Sequence, residues 1–277
     1  LQNKKNVLPV DASKVKRALD VGENAVKRMT VGGGSSSLKA KYEVSPLEGI
    51  KARLGDGAEV IYSPGYASPA VKEQDVLGAE EPDKMEIDAD ALRNDAVKWA
   101  KDADVVFFVG GLNKNDGQDC EGNDRSSLSL PYEQDQLIAE LAKANPNTVV
   151  VIISGNAVAM PWVKQVPAIV EAWYSGTEAG NALASILFGD VNPSGKLPFT
   201  FPARLEDNGA HALGEHPGDS INVKYNESIF VGYRWADKQK KTKPLFAFGH
   251  GLSYTTFAYG KATATKKSLT ADETITF

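Results

Sequence analysis

Thr148 to Ser154 is a run of β-branched and apolar residues with no charge in it, and Val105 to Val109 is a second unbroken apolar run. A strand with one wet face alternates apolar and polar residues, whereas a strand covered on both faces does not. Two such runs therefore predict parallel strands buried between layers of helix. Parallel neighbours cannot be joined by a tight turn, so the chain between them must cross over, normally as a helix.

The intervening segments supply those helices. Ser45 and Glu48 form a Ser-x-x-Glu capping box, with Pro46 at the first helical position, Leu47, Ile50 and Leu54 on one stripe and Gly55 as the stop. Asp90 to Asp102 places Leu92, Ala96, Val97 and Ala100 at helical spacing, and Pro131 to Asn145 does the same with Leu137, Ile138 and Leu141. Thr177 to Phe188 reads as a helix of small and aliphatic residues. Val15 to Gly22, Ala58 to Tyr62 and Ala168 to Trp173 complete the set of strands. The alternation predicts an α/β fold with a doubly wound, mainly parallel sheet between helices.

Residues 1–202 form this sandwich domain in our reading. Residues 203–260, poor in periodic segments and rich in Gly, Asn, Pro and aromatic side chains, are expected to wrap irregularly over the same domain. The alternation from Lys261 onward, ending in Thr274, Ile275, Thr276 and Phe277, predicts that 261–277 is the first strand or strands of a truncated β-domain. Both ends of the sequence read as cut.

A formal net charge of −5 argues against nucleic acid or an anionic membrane as the main partner, because both require a basic face. No run approaches the ~18 apolar residues of a membrane-spanning helix. Cys120 is the one cysteine, so an internal disulfide and a multi-cysteine zinc site are excluded, and with all three histidines far downstream it reads as an inert thiol.

The chemistry concentrates in one stretch. Asp119, Cys120, Glu121, Gly122, Asn123, Asp124 and Arg125 place three carboxylates and a guanidinium in seven residues just beyond the buried run at 105–109. Loops at the ends of buried strands are where α/β proteins hold binding and catalytic groups. Read blandly, Glu121 and Arg125 are a salt bridge ordering a helix entry. EF-hand spacing fails here, and no metal is expected. Gly32 to Ser37 lacks the spacing of a dinucleotide loop, Gly189 to Lys196 lacks the leading glycine and the Ser/Thr of a phosphate loop, and no G-x-S-x-G elbow is present.

Taken in order, several blocks resemble the C-terminal half of glycoside hydrolase family 3, the β-glucosidase and β-xylosidase family. They are Gly32-Gly33-Gly34-Ser35, Glu121-Gly122-Asn123-Asp124-Arg125, Leu128 to Pro131, Pro161-Trp162, Ala172 to Gly176 with Glu178, Gly180 and Asn181, Gly189 to Pro198, Tyr225 to Arg234, and Phe248 to Phe257. The match runs from about Leu1 to Tyr259. The resemblance implies a flavodoxin-like sandwich that sits behind a TIM-like barrel and, in many members, ahead of a fibronectin-type-III-like domain, of which 261–277 would be the beginning.

It also implies retaining hydrolysis of β-glycosides, with an aspartate nucleophile from the barrel and a glutamate acid/base from a sandwich loop. Glu121 is the residue carried over as acid/base, with Asp119 and Glu227 as fallbacks. Asp124, Arg125 and Ser35 are candidates for the substrate-site loops. The nucleophile has no counterpart in this sequence, so the chain by itself is expected to be inactive. No cofactor is implied, the substrate is a β-glucoside or oligosaccharide, and the resemblance favours a periplasmic or secreted compartment. A noncatalytic carbohydrate-binding or interface module is the alternative from outside the enzyme class, and β-xylosidase the alternative within it. Trp173, Tyr174, Phe230, Tyr233 and Trp235 read as packing anchors before sugar platforms.

Overall fold

The structure is a computed structural model, and it describes residues 1–28, 30, 39–68, 88–113, 117–119, 125–219, 221–239 and 243–277. Six strands form one sheet: β1 (Gln2–Asn3), β2 (Arg17–Val21), β3 (Glu59–Ser63), β4 (Val105–Gly111), β5 (Thr148–Ile153) and β6 (Ala168–Glu171), in the order β1-β6-β5-β4-β2-β3. All pairings are parallel except β1 with β6. Without β1 the order is that of a flavodoxin-like doubly wound sheet, and the winding reverses between β2 and β4. The expected α/β architecture is therefore present, extended by one short antiparallel edge. Nothing in the first residues signals β1: two polar residues are too short for periodicity, and Gln2 is held there by its side chain donating to Val163 O and Val166 O.

Every residue of β4 and β5 is buried, as their unbroken apolar runs require. One face of the sheet packs Leu19, Phe108, Val150 and Ile152 against α2 (Ala89–Asp102) and α3 (Gln134–Ala144). The other face packs Phe107, Val109, Val149 and Val151 against α1 (Pro46–Leu54) and α4 (Ala179–Leu187). The Ser45 capping box forms as its spacing predicts, with Ser45 Oγ accepting from Glu48 N and Glu48 accepting from Ser45 N. Helices α1 and α4 meet at backbone contact: a Cβ on Gly49 would lie 2.1 Å from Gly180 O, and one on Gly180 would lie 2.0 Å from Ser45 O.

Two helices start two or more residues later than expected. Helix α3 begins at Gln134, not Pro131, because Tyr132 and Glu133 take left-handed φ values of 59° and 57°. The last helix of the sandwich starts at Ala179, two residues later than its sequence suggests. Residues 203–260 carry two short helices, α5 (Gly209–Ala212) and α6 (Tyr233–Lys238), and are tied back by the Phe201–Phe246 bridge. In residues 261–277, Thr265 N donates to Thr276 O.

One side chain contradicts its setting. Asp20 lies in the middle of β2 between Tyr62 and Phe107, fully buried, with neither carboxylate oxygen hydrogen-bonded among the described residues. Burial raises its pKa well above the ordinary value, with a small opposing pull from Lys51. The folded protein then keeps a proton that the unfolded chain gives up, so this group's contribution to stability is full below about pH 4 and is lost as pH rises toward the folded-state pKa. Asp20→Val is expected to raise unfolding free energy by about 1–3 kcal/mol at neutral pH, and Asp20→Asn to flatten part of the pH dependence. Urea unfolding at pH 5 and pH 8 checks both, and a less stable Asp20→Val protein would show that the carboxyl has a structural task.

Candidate active site

The acidic stretch leaves the sheet at the carboxyl end of β4, beside the point where the winding reverses. Parallel sheets open a crevice there, because the neighbouring connections run to opposite faces. Glu121, Asp124 and Ser35 lie outside the described residues. Asp119 and Arg125, which flank the first two, are described, and so is Glu227.

Side-chain amides staple the loop that joins β4 to α3. At its base Gln134 accepts from Gly111 N at 2.8 Å and donates to Gly111 O at 2.9 Å. Gly111 has φ 115°, and a Cβ there would sit 2.4 Å from Ile153 O, so only glycine fits. One step out, Gln118 accepts from Asn113 N at 2.8 Å and donates to Tyr132 Oη at 2.9 Å. The Tyr132 ring stacks on Tyr66, whose hydroxyl accepts from Glu23 N. At the same end, Asn24 donates to Leu112 O and Asn113 lies 3.5 Å from Glu23 Oε2, which ties the stem of the loop to the turn after β2.

Further out, the segment meets the loop after β5. Asp119 accepts from Gly155 N at 2.6 Å, from Asn156 Nδ2 at 2.8 Å and from Tyr174 Oη at 2.9 Å. Burial first, and the Asp119 carboxylate next, push the Tyr174 phenol far above its usual range, so it stays a donor. Arg125 is half-buried; its Nη2 donates to Asn156 Oδ1 and to Ala157 O at 2.8 Å, while its Nη1 has no partner among the described residues. Burial pulls its pKa down, partly opposed by Asp119. The bland pairing of Arg125 with Glu121 thus competes with two bonds that Arg125 makes to the β5 loop.

Behind this layer stands Glu171 at the end of β6. Its Oε1 lies 3.1 Å from Ser154 Oγ, which is itself 2.8 Å from Asn156 O. Burial pushes the Glu171 carboxyl up to about 8. The Ser154 hydroxyl has one proton, so a protonated Glu171 donates to Ser154 Oγ while Ser154 Oγ donates to Asn156 O. Glu171 also lines a cleft of about 350 Å³ together with Trp173, Asn192, Lys196, His250 and Ser253, whereas Asp119 and Arg125 do not line it.

Glu227 lies in a separate, mostly exposed stretch, and no hydrogen bond joins it to Asp119 or Arg125 among the described residues. The aromatic side chains named from the sequence are largely packed: Trp173 is edge-on to Phe199 and Phe201, and Trp235 is buried over Gly209 and donates to Asp207 O. Phe230 lies under Lys238 Nζ, and Tyr233 stacks on exposed Phe248. Asn156, Ser154 and Glu171 escaped the sequence reading. Asn156 follows a glycine at the carboxyl end of a buried strand, and that position was the available signal.

A family model described as the glycosyl hydrolase family 3 C-terminal domain matches residues 1–254. The chain belongs to glycosyl hydrolase family 3. Among curated relatives, this family 3 chain is 52% identical over 273 residues to β-glucosidase BoGH3A of Bacteroides ovatus, covering 97% of the chain and 35% of that protein. It is 38% identical over 275 residues to thermostable β-glucosidase B of Acetivibrio thermocellus, covering 99% and 34%. The chain thus spans about a third of the length of these relatives. Among solved structures, it superposes on DesR, a β-glucosidase of Streptomyces venezuelae in complex with D-glucose, with a TM-score of 0.80 at 31% identity, covering 97% of the chain and 45% of DesR. A GH3 exo-β-xylosidase matches with a TM-score of 0.67 at 26% identity, covering 92% and 30%.

The Glu171 geometry has a measurable consequence for the family 3 domain. With its pKa raised to about 8 from 4.5, this group's stabilising contribution is complete below pH 4.5 and is lost as pH rises through 8. Glu171→Gln keeps a donor toward Ser154 and is expected to lose less melting temperature than the parent between pH 5 and pH 8.5. Identical pH slopes for the two proteins would show that Glu171 ionises normally.

Proposed function

We propose that this chain is the C-terminal portion of a retaining β-glycosidase, a β-glucosidase that releases terminal non-reducing β-D-glucosyl residues, and that its 119–125 loop brings the acid/base to a site shared with a TIM-like barrel. The observation that carries the reading is that Asp119 and Arg125, which flank the Glu121 to Asp124 stretch, both bond to the loop after β5 at the carboxyl end of the sheet, in a chain 52% identical to a β-glucosidase. Retention requires two carboxyl groups about 5–5.5 Å apart on opposite faces of the sugar. One attacks the anomeric carbon and forms a glycosyl ester, while the other protonates the departing oxygen and then takes a proton from the water that cleaves the ester.

The second role falls to Glu121. Of the fallbacks, Asp119 has both oxygens engaged by donors of its own chain, which suits an anchor better than a proton donor. Glu227 makes no hydrogen bond to Asp119 or Arg125 among the described residues. Asp124, Arg125 and Ser35 are assigned to the rim that meets the substrate. The nucleophile belongs to the barrel, so the 277-residue chain alone is expected to leave β-glucosides intact. The higher similarity to β-glucosidases ranks glucose above xylose as the glycone. A noncatalytic sugar-binding module is the remaining reading, and calorimetry with cellobiose separates it, since the half-site proposed here holds sugar weakly or not at all.

In the polypeptide that joins this chain to its barrel, Glu121→Gln is expected to lower turnover of an alkyl β-glucoside by about 10²–10⁴-fold while sparing the first step on an activated aryl β-glucoside. Steady-state kinetics on both substrates, with azide as an external nucleophile, provide the check. Equal losses on the two would remove Glu121 from the acid role.

A further inference from the structure

We infer that Asn156 is a positioning residue for the acid/base loop, a two-headed clasp that fixes the separation of Asp119 and Arg125. The inference rests on the reading of the 119–125 loop given above. Its geometry is independent of that reading: the Asn156 amide nitrogen donates to Asp119 Oδ1 at 2.8 Å, and its amide oxygen accepts from Arg125 Nη2. One side chain therefore binds both ends of a seven-residue segment. A side-chain amide does this with one planar group, since it presents a donor and an acceptor about two ångströms apart.

The neighbours reinforce both heads. Gly155 N and Tyr174 Oη occupy Asp119 Oδ2, and Ala157 O takes a second bond from Arg125 Nη2. Ser154 Oγ, 2.8 Å from Asn156 O, holds the backbone of the clasp itself against Glu171. The platform is the carboxyl end of β5, whose six residues are all buried. A rigid strand thus carries the amide, and the amide carries the loop. Proton transfer to a leaving oxygen is steep in distance and angle, and a displacement of about 1 Å can cost about 10²-fold in rate. A clasp of this kind touches no substrate, and it acts on the step in which the acid takes part.

The same polypeptide with its barrel, carrying Asn156→Ala, Asn156→Asp or the reference substitution Glu121→Gln, provides the test. Asn156→Ala is expected to lose about 10- to 100-fold in kcat/KM on an alkyl β-glucoside and less than about 3-fold on a dinitrophenyl β-glucoside, with KM little changed. Asn156→Asp, which keeps an acceptor for Arg125 and sets a carboxylate against Asp119, is expected to lose at least as much. Thermal unfolding confirms that the variants are folded.

If Glu121→Gln shows the leaving-group split and Asn156→Ala does not, the clasp is overturned and the acid assignment stands. If Asn156→Ala shows the split and Glu121→Gln does not, the clasp is supported and another carboxyl is the acid. Equal losses on both substrates for both variants overturn the two together.

Discussion

The carboxyl end of the sheet depends on the paired hydrogen bonds between the Gln134 amide and the backbone of Gly111. Gly111 is the last residue of β4, its N–H and C=O are buried, and no further strand residue reaches them. Left unpaired, each would cost on the order of 1–3 kcal/mol. Gln134 satisfies both with one side chain and so sets where α3 begins. Tyr132 and Glu133 are drawn into left-handed conformations that cost about 1–3 kcal/mol each for residues with a Cβ, and the packing of Tyr132 on Tyr66 and the ion pair of Glu133 with Arg93 help hold them there. The Gln118 bridge and the Asn156 clasp are then built outward from a fixed base.

The opposite face supports the same end by close approach. Helices α1 and α4 touch through Gly49 and Gly180, which brings the Ser45 cap and the start of α4 together and lets Val44 donate to Thr177 O and accept from Gly180 N. A methyl group at either glycine would drive the helices apart. Their contact seals the sheet face that carries Phe107, Val109 and Val151, so β4 and β5, which bear the two halves of the site, are held from both sides.

What was legible in the sequence follows from which forces are periodic. The buried runs at 105–109 and 148–154 announced parallel strands because an apolar residue at every position leaves no wet face. The capping box at Ser45 announced α1 to the residue because the bonds that form it are local. The start of α3 was misplaced because Pro131 is a strong local signal, and the bond that overrides it comes from Gly111, twenty-three residues away. Strand β1 and the fully buried Asp20 carry no local signal at all. At the site, the acid-rich stretch is conspicuous by its composition, whereas Asn156 and Glu171 are ordinary residues whose meaning comes only from the carboxyl ends that β4, β5 and β6 bring together.

Of the three carboxylates in residues 119–124, Asp119 is the one among the described residues, and its bonding makes it an anchor. A carboxylate that accepts from Gly155, Asn156 and Tyr174 has spent its acceptors on holding a loop, as Asp119 has. An acid/base must instead keep an oxygen open toward the substrate and have a pKa raised enough to hold a proton at the working pH. In a retaining site the second carboxylate, a few ångströms away, supplies much of that rise by repulsion. Under the proposed function, Glu121 therefore receives its position from this domain and part of the rise in its pKa from another. Under the same proposal, the chemistry begins only when the sandwich meets its barrel.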